Sequence, residues 1–246
     1  MHRKDMAMKA IIFNSGLGNR MGDLTRHQHK SMTRLLDGET IFHRQLRLLS
    51  EAGVRDFIVT TGPFEEQLKQ EAADFPGLRF TFVRNDIYDR TNYIYSMYLA
   101  RQFMDDDLVF LHGDLVFDRR LVQDVLSCPH PNTATVHFTK ALPEKDFKGR
   151  VKDGRLLEVS IHIFDEGCYA FQPFYKLDKA TVQAWVGEVE RFIDRGEDKC
   201  YAENALNNLL PGLDVCAFSY EGYYIDEIDN LADYERVSRE ILPFDK

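Results

Sequence analysis

The chain has 246 residues, of which 44% are hydrophobic, so it can form one large domain with a proper core. Its formal net charge of -9 argues against a general nucleic-acid binder, although a few local cations could still hold a phosphate ligand. The four cysteines form no C-x-x-C pair, and no apolar run is long enough to span a membrane. We therefore expect a cytoplasmic protein with reduced thiols, without a signal peptide, a nucleic-acid partner or a membrane partner.

Strands and helices alternate through the first half of the chain. The pattern predicts strands at residues 9–14, 57–61, 79–84 and 108–112, and helices at residues 40–52, 65–73 and 92–102. Such β-α-β repetition favours a mostly parallel sheet with helices on both faces.

From residue 133 onward the pattern changes. Further strands are predicted at residues 133–138, 156–164, 215–219 and 223–226, with a hairpin turn at 152–155. Helices are predicted at residues 180–195, at 202–209 and from residue 230. No repeat or linker is apparent, so a single domain is expected over residues 1–246, with its two halves meeting near residue 130.

A glycine-rich loop follows the first strand in "KAIIFNSGLGNRMGDLTRHQHK" (residues 9–30), which also contains Arg20 and Lys30. Glycines directly after a strand let the backbone approach a phosphate. In the dinucleotide-binding fingerprint the third glycine would stand one position earlier, and a helix would begin directly after the loop. In the Walker A motif a glycine would precede the lysine, and here it does not. The two cations suit a triphosphate that is about to lose pyrophosphate, while a simple surface turn is the alternative.

The stretch "GLGNRMGDLTRHQHKSM" resembles the G-x-G-x-R…P-K signature of the nucleotidyltransferases that build sugar and amino-alcohol nucleotides. Asn14 and Ser15 replace the usual alanines, and His29 replaces the proline. The resemblance implies a three-layer α/β/α, Rossmann-like nucleotidyltransferase fold with a mostly parallel mixed central sheet. It also implies that Lys30 and Arg20 are catalytic. The loop residues expected at the nucleotide are Ser15, Gly16, Leu17 and Gly18.

Two groups of carboxylates could hold a metal ion. Asp114 follows a predicted central strand at the edge where ligands of open α/β sheets collect. Glu227 and Asp229 would share one face of a strand, and two such carboxylates repel unless a cation lies between them. An N-terminal cap for the last helix is the alternative for this cluster. The resemblance assigns Asp114 and Asp229 to Mg²⁺, which prefers a few carboxylates together with substrate phosphates.

Three further stretches resemble the phosphocholine and alkylphosphonate cytidylyltransferases: "RTNYIYSMYLA" (residues 90–100), "CYAENALNN" (200–208) and "EIDNLADYERV" (227–237). The resemblance implies CTP as the nucleotide, bound by the first half of the chain (about residues 1–130), with the acceptor bound by the second (about 131–246). Further nucleotide contacts are expected from Thr61, Gly62, Asn92 and Ser96. Acceptor contacts are expected from Asp146, Lys148, Tyr201, Glu203 and Glu227.

The resemblance implies that the acceptor is a small phosphate or phosphonate, which we expect to carry an amine. A primary amine would donate hydrogen bonds to Asp146, which a quaternary ammonium cannot do, and Lys148 could meet the phosphonate. This favours 2-aminoethylphosphonate over phosphocholine. A sugar-1-phosphate nucleotidyltransferase and an inactive nucleotide-binding relative stay open as alternatives, as does a homodimer.

Overall fold

A computed structural model describes residues 8–16 and 18–244. These residues form eleven strands: β1 (Met8–Asn14), β2 (Asp56–Thr61), β3 (Arg79–Arg84), β4 (Asp107–His112), β5 (Leu115–Phe117), β6 (Thr133–His137), β7 (Lys148–Lys152), β8 (Arg155–Ser160), β9 (Cys168–Leu177), β10 (Cys216–Ser219) and β11 (Ile225–Glu227). They also form seven α-helices: α1 (Ile41–Glu51), α2 (Glu65–Ala72), α3 (Tyr93–Ala100), α4 (Arg119–Ser127), α5 (Lys179–Asp194), α6 (Ala202–Asn207) and α7 (Leu231–Glu240).

Nine of the strands form one mixed sheet in the order β3-β2-β1-β4-β9-β6-β10-β8-β7. Parallel pairing joins β3, β2, β1 and β4, and also β6 with β10, whereas β9 runs antiparallel to both β4 and β6. The short strands β5 and β11 pair separately. Because β1 and β4 are parallel neighbours, the loops that follow them leave the sheet side by side.

The three layers follow from the alternation of buried side chains along the central strands. Ile11 and Phe13 of β1 pack on the face covered by α3, α5 and α6, whereas Ala10 and Ile12 pack on the opposite face with apolar residues of α1, α2 and α4. Successive side chains of a strand point to opposite faces, so an apolar strand of this kind must be covered on both sides. The predicted three-layer fold is confirmed.

Side-chain caps define where several helices begin. The side chains of Thr40, Asp118 and Asp178 each accept a hydrogen bond from a backbone N–H in the first turn of α1, α4 and α5. Asn230 does the same for α7 and thereby ends the loop that carries Asp229. Such caps satisfy N–H groups that the helix itself leaves free.

Several elements were not predicted from the sequence, namely β5, α4, β7 and the ten-residue strand β9. Nearly every residue of β9 is buried, so it has no apolar–polar alternation, and it contains Pro173, which argues against a strand. Among residues 8–16 and 18–244, the structure contains no helix that is both long and apolar enough to cross a membrane.

Candidate active site

A cavity of about 420 Å³ opens at the carboxyl ends of β1 and β4. Its floor consists of Asn14 and Ser15 after β1 and of Gly113 and Asp114 after β4. The edge at which parallel strands end is where open α/β sheets bind ligands. The glycine loop, the segment before β7, the start of α6 and the loop after β11 complete the walls.

Lys30 is the central cation of this cavity. It is 8% exposed, and its Nζ lies 2.8 Å from Asp114 Oδ2 and 2.6 Å from Asp229 Oδ1. Burial disfavours the ammonium, but the two carboxylates outweigh it and raise the pKa of Lys30 to about 12. The same ammonium outweighs the effect of burial on Asp114 and holds the pKa of that carboxyl below its ordinary value. Lys30 is therefore charged and has a fixed position.

Gly18 allows the glycine loop to lie directly against the Lys30 side chain. Its φ of +65° is in the left-handed region, and a Cβ at this position would lie 2.8 Å from the Cβ of Lys30. Any larger residue would be strained and would displace the lysine.

Arg20 lies at the mouth of the cavity, where its guanidinium is 2.9 Å from Asp229 Oδ2. Its side chain is 67% exposed, so this ion pair is screened by water and is free to exchange partners. Arg20 can therefore leave Asp229 to meet an anion that enters the cavity.

Carboxylates outnumber cations on the walls, since Asp146 and Glu227 join Asp114 and Asp229 there. Burial, reinforced by the charges of Asp114 and Asp229, raises the pKa of Glu227 well above its ordinary value. Burial together with the Asp229 charge also raises the pKa of Asp146. This excess of acids favours a cation in the cavity, either a metal ion or an ammonium group of a ligand.

The donor set fits Mg²⁺. Ligand atoms of Asp146, Glu227 and Asp229 lie within 4.8 Å of one another, as do those of His112, Asp114 and Glu227. Asp114 Oδ1 is buried without a hydrogen-bond partner in the described part of the chain, so it has a free lone pair beside the cavity. Carboxylate oxygens in this number suit a hard cation that also binds substrate phosphates.

Aromatic side chains form the wall beyond the carboxylates. Tyr201 lies with its ring centroid 4.9 Å from Phe147 in an edge-to-face arrangement and 6.2 Å from Tyr93. All three line the cavity together with Asn92, the N-terminal cap of α3. An alkyl or ammonium group could pack against these rings.

The structure brings most of the predicted site residues to this one cavity: Ser15, Gly16, Gly18, Arg20, Lys30, Asn92, Asp114, Asp146, Tyr201, Glu227 and Asp229. Leu17 lies outside the described residues. Glu227 and Asp229 both line the cavity, but only Glu227 belongs to β11, and Asp229 lies in the loop that follows rather than on the same strand as predicted. Asp226 pairs with Arg236 and Lys140.

Three residues predicted to contact the nucleotide lie behind the cavity wall. Ser96 is 1% exposed and donates a hydrogen bond to Ser15 Oγ, which is therefore the group nearer the cavity. The hydroxyl of Thr61 is buried and donates to Glu65. Gly62 packs so closely on the glycine loop that a Cβ would lie 2.4 Å from the carbonyl oxygen of Ser15. Ser96 and Gly62 therefore contact the glycine loop, whereas the Thr61 hydroxyl is bonded to α2.

Two residues predicted to contact the acceptor are also enclosed. The carboxyl of Glu203 is 1% exposed and accepts hydrogen bonds from the hydroxyls of Tyr93 and Tyr175, because the first turn of α6 points it into the core. Lys148 is 0% exposed, and its ammonium binds main-chain carbonyls. Neither side chain reaches the cavity.

Other cavity residues were not singled out from the sequence, notably His112, Tyr93, Phe147 and Lys145. Burial lowers the pKa of His112 to about 4, so its ring is neutral, and its Nε2 has no hydrogen-bond partner in the described chain. The position of His112 two residues before Asp114 was an available signal, since the end of a central strand lies at the ligand edge.

The chain is similar to known proteins in both sequence and fold. A family profile described as "MobA-like NTP transferase domain" matches residues 10–152. Enzymes with this domain typically use a divalent metal ion.

Three curated relatives are similar to the chain. It is 26% identical to the choline-phosphate cytidylyltransferase of Streptococcus pneumoniae over 96% of its length and 98% of the relative. It is 24% identical to the 2-aminoethylphosphonate cytidylyltransferase of Lancefieldella rimae, over 91% of its length and 89% of that protein. It is 28% identical to the CMP-5'-(3-aminopropyl)phosphonate synthase of Streptomyces rubellomurinus, but this match spans 50% of the chain and only 19% of the much longer relative.

Among solved structures, the CTP:phosphocholine cytidylyltransferase of Streptococcus pneumoniae superposes with a TM-score of 0.80 at 22% identity. The match covers 96% of this chain and 100% of the other. This similarity supports the fold described above.

Proposed function

The chain belongs to the MobA-like NTP transferase family and is a nucleotidyltransferase, and on this premise we propose that it is a Mg²⁺-dependent cytidylyltransferase. It transfers CMP from CTP to a small phosphonate or phosphate acceptor and releases pyrophosphate. The observation that carries this proposal is the Lys30 ammonium, held between Asp114 and Asp229 beside the glycine loop.

The reaction requires two anions to approach each other, so neutralisation of charge and positioning are the main tasks. An oxygen of the acceptor attacks the α-phosphorus of CTP, and the bond to the pyrophosphate oxygen breaks. The acceptor oxygen is already anionic near neutral pH, so the reaction needs no strong general base.

The chain's own residues have distinct tasks in this scheme. Lys30 stabilises the charge that develops at the α-phosphate, and Arg20 together with amides of the glycine loop receives the β- and γ-phosphates. Asp114 and Asp229, with Glu227 beside them, are the residues that would hold Mg²⁺. The bound ion would supply further positive charge at the phosphates.

The acceptor half of the cavity favours an amine. Asp146 and Glu227 lie there with the rings of Phe147 and Tyr201, so an ammonium group would find both hydrogen-bond acceptors and aromatic faces. Lys145 lines the same cavity, and it is the lysine of this segment that is available to a phosphonate. We propose 2-aminoethylphosphonate as the acceptor, in line with the name of one relative, while another is named for a (3-aminopropyl)phosphonate.

Phosphocholine is the second candidate because the edge-to-face pair of Phe147 and Tyr201 could also receive a quaternary ammonium. The name of another relative points in the same direction. A quaternary group would leave the hydrogen-bonding capacity of Asp146 unused, which favours the primary amine.

A pyrophosphate-release assay tests the proposal. CTP, UTP, dTTP and ATP are each combined with 2-aminoethylphosphonate, phosphocholine or glucose-1-phosphate in the presence of Mg²⁺. We expect release with CTP and 2-aminoethylphosphonate only. Release with phosphocholine alone would support the second candidate, and release with glucose-1-phosphate would overturn the acceptor assignment. If no pair releases pyrophosphate although CTP binds measurably, the chain is better described as an inactive nucleotide-binding relative.

A further inference from the structure

Lys148 has an unusual environment for a lysine. It begins β7 and is 0% exposed, yet within the described chain it has no carboxylate as a hydrogen-bond partner. Its ammonium donates to three main-chain carbonyls, those of Ile161 at 2.6 Å, Pro143 at 3.0 Å and Glu144 at 3.5 Å. The ring of Phe164 covers it, with the ring centroid 4.0 Å from Nζ. Each of the three N–H groups of the ammonium therefore has a partner.

The three carbonyls belong to two neighbouring segments of the chain, because β7 and β8 pair antiparallel with Lys148 opposite Ser160. Pro143 and Glu144 lie in residues 138–147, which we call the acceptor segment because it presents Lys145, Asp146 and Phe147 to the cavity. Ile161 lies directly after β8 and also lines the cavity. One ammonium thus joins the acceptor segment to the chain that follows β8.

Residues 138–147 form no helix or strand, and the segment is held at its end by Phe147, which is buried in the core and whose carbonyl oxygen accepts a hydrogen bond from the Phe171 N–H at 3.2 Å. Near its start, the Lys140 ammonium lies 3.4 Å from Asp226 Oδ2, and this ion pair is partly exposed. Exposed ion pairs contribute little to stability, whereas buried hydrogen bonds to a charged donor contribute more. Lys148 is therefore the main anchor of residues 143–146, which carry Lys145 and Asp146.

We propose that Lys148 is a positioning residue that fixes the acceptor segment and thereby sets the affinity for the acceptor. This inference rests on the proposed function. Without the ammonium, two carbonyls of the segment lose their donor, and Asp146, which lies between them and the core residue Phe147, loses its fixed place. The nucleotide end of the cavity, at Lys30 and the glycine loop, lies on other elements and is not affected.

The test compares Lys148→Met with Lys176→Met. Lys176 is also a buried lysine, 4% exposed, and its Nζ lies 2.6 Å from the main-chain carbonyl of Cys128, but it does not line the cavity. The control thus removes a buried ammonium and one of its carbonyl contacts at a remote site. Lys148→Arg, which keeps a cationic donor, is expected to lie between wild type and Lys148→Met.

In Lys148→Met we expect the KM for 2-aminoethylphosphonate to rise about tenfold, while the KM for CTP stays within about twofold of wild type. Tenfold corresponds to about 1.4 kcal/mol, the net worth of one good hydrogen bond. Hydrogen–deuterium exchange of residues 138–147 should accelerate in this variant. Lys176→Met should change neither the acceptor KM nor this exchange.

An equal rise in both KM values, or unchanged exchange in the acceptor segment, would overturn the inference. So would an acceptor KM that rises to the same extent in Lys176→Met, since it would indicate general loss of stability. If wild type transfers CMP to no acceptor, the proposed function fails. The exchange measurement still decides whether Lys148 fixes the segment.

Discussion

The ammonium of Lys30 lies 2.6 Å from the carboxylate of Asp229, although 199 residues separate the two in the chain. The same ammonium contacts Asp114, so acids from two distant segments meet at one cation. Burial of charged side chains costs free energy unless the opposite charges balance and hydrogen bonds satisfy the charged groups. Asp114 Oδ1 is buried without a hydrogen-bond partner in the described chain, so it keeps a lone pair that a bound cation could use.

Replacement of Lys30 by alanine tests its role at the α-phosphate. Removal of one preorganised charge donor costs roughly 3–4 kcal/mol of barrier, so we expect kcat to fall at least about a hundredfold. Steady-state kinetics with a circular dichroism check of the fold provide the measurement. Near-normal turnover in a folded variant would refute the role.

Asp114→Asn and Asp229→Asn should each weaken the binding of Mg²⁺. We expect the Mg²⁺ concentration for half-maximal activity to rise at least about tenfold, since even indirect partners of metal ligands have effects of this size. The matched control is Asp226→Asn, because Asp226 faces away from the cavity and pairs with Arg236. The Asp226→Asn control should keep the wild-type Mg²⁺ titration. If Asp114→Asn and Asp229→Asn keep it as well, the metal assignment is wrong.

The buried carboxyl of Glu203 should make stability depend on pH. Burial raises the pKa of Glu203 to about 8, whereas in the unfolded chain its pKa is near 4.3, roughly the value in model peptides. Between these values the folded state holds a proton that the unfolded chain has lost. The free energy of unfolding should therefore decrease as the pH rises from about 4 to about 8.

Glu203→Gln removes this titration while it keeps partners for the hydroxyls of Tyr93 and Tyr175. We expect denaturation midpoints of this variant to decline less between about pH 5 and about pH 8 than those of wild type. Glu166→Gln, at an exposed position, should retain the wild-type slope. Parallel profiles for Glu203→Gln and wild type would contradict the assignment.

Asp146→Asn tests how the amine is recognised. Hydrogen bonds to charged groups contribute about 1.5–3 kcal/mol, so the KM for 2-aminoethylphosphonate should rise about tenfold or more. The KM for phosphocholine should change less, because a quaternary ammonium donates no hydrogen bond. Asp165→Asn serves as the control, since Asp165 pairs with Arg150 and does not line the cavity. Equal effects on both acceptors would exclude a direct hydrogen bond from the amine.

The parts of the fold that the sequence predicts are those with regular patterns. The alternation from β1 to β4 and the caps of α1 and α7 are local signals, and the structure retains them. The strand β9 has no such signal, because it is buried on both faces and therefore shows no apolar–polar alternation. It also contains Pro173, a residue that argues against a strand. Its antiparallel place between β4 and β6 depends on long-range pairing that no local pattern encodes.

The candidate active site also has residues that local sequence patterns predict and residues that they do not. Glycine spacing and the i, i+2 relation of Glu227 and Asp229 are local, and both correspond to cavity residues in the structure. The sequence cannot tell whether Lys148 and Glu203 point outward or inward, since that depends on which carbonyls and hydroxyls the rest of the chain brings to them. Polar residues with buried partners are therefore hard to distinguish from ligand contacts on sequence grounds.

Phosphorus NMR of a mixture of protein, CTP, Mg²⁺ and 2-aminoethylphosphonate is the most direct measurement of the central claim. We expect wild type, but not Lys30→Ala, to form a new phosphonate–phosphate anhydride in a one-to-one ratio with pyrophosphate. Hydrolysis of CTP without the coupled product, or equal formation of the anhydride by Lys30→Ala, would contradict it.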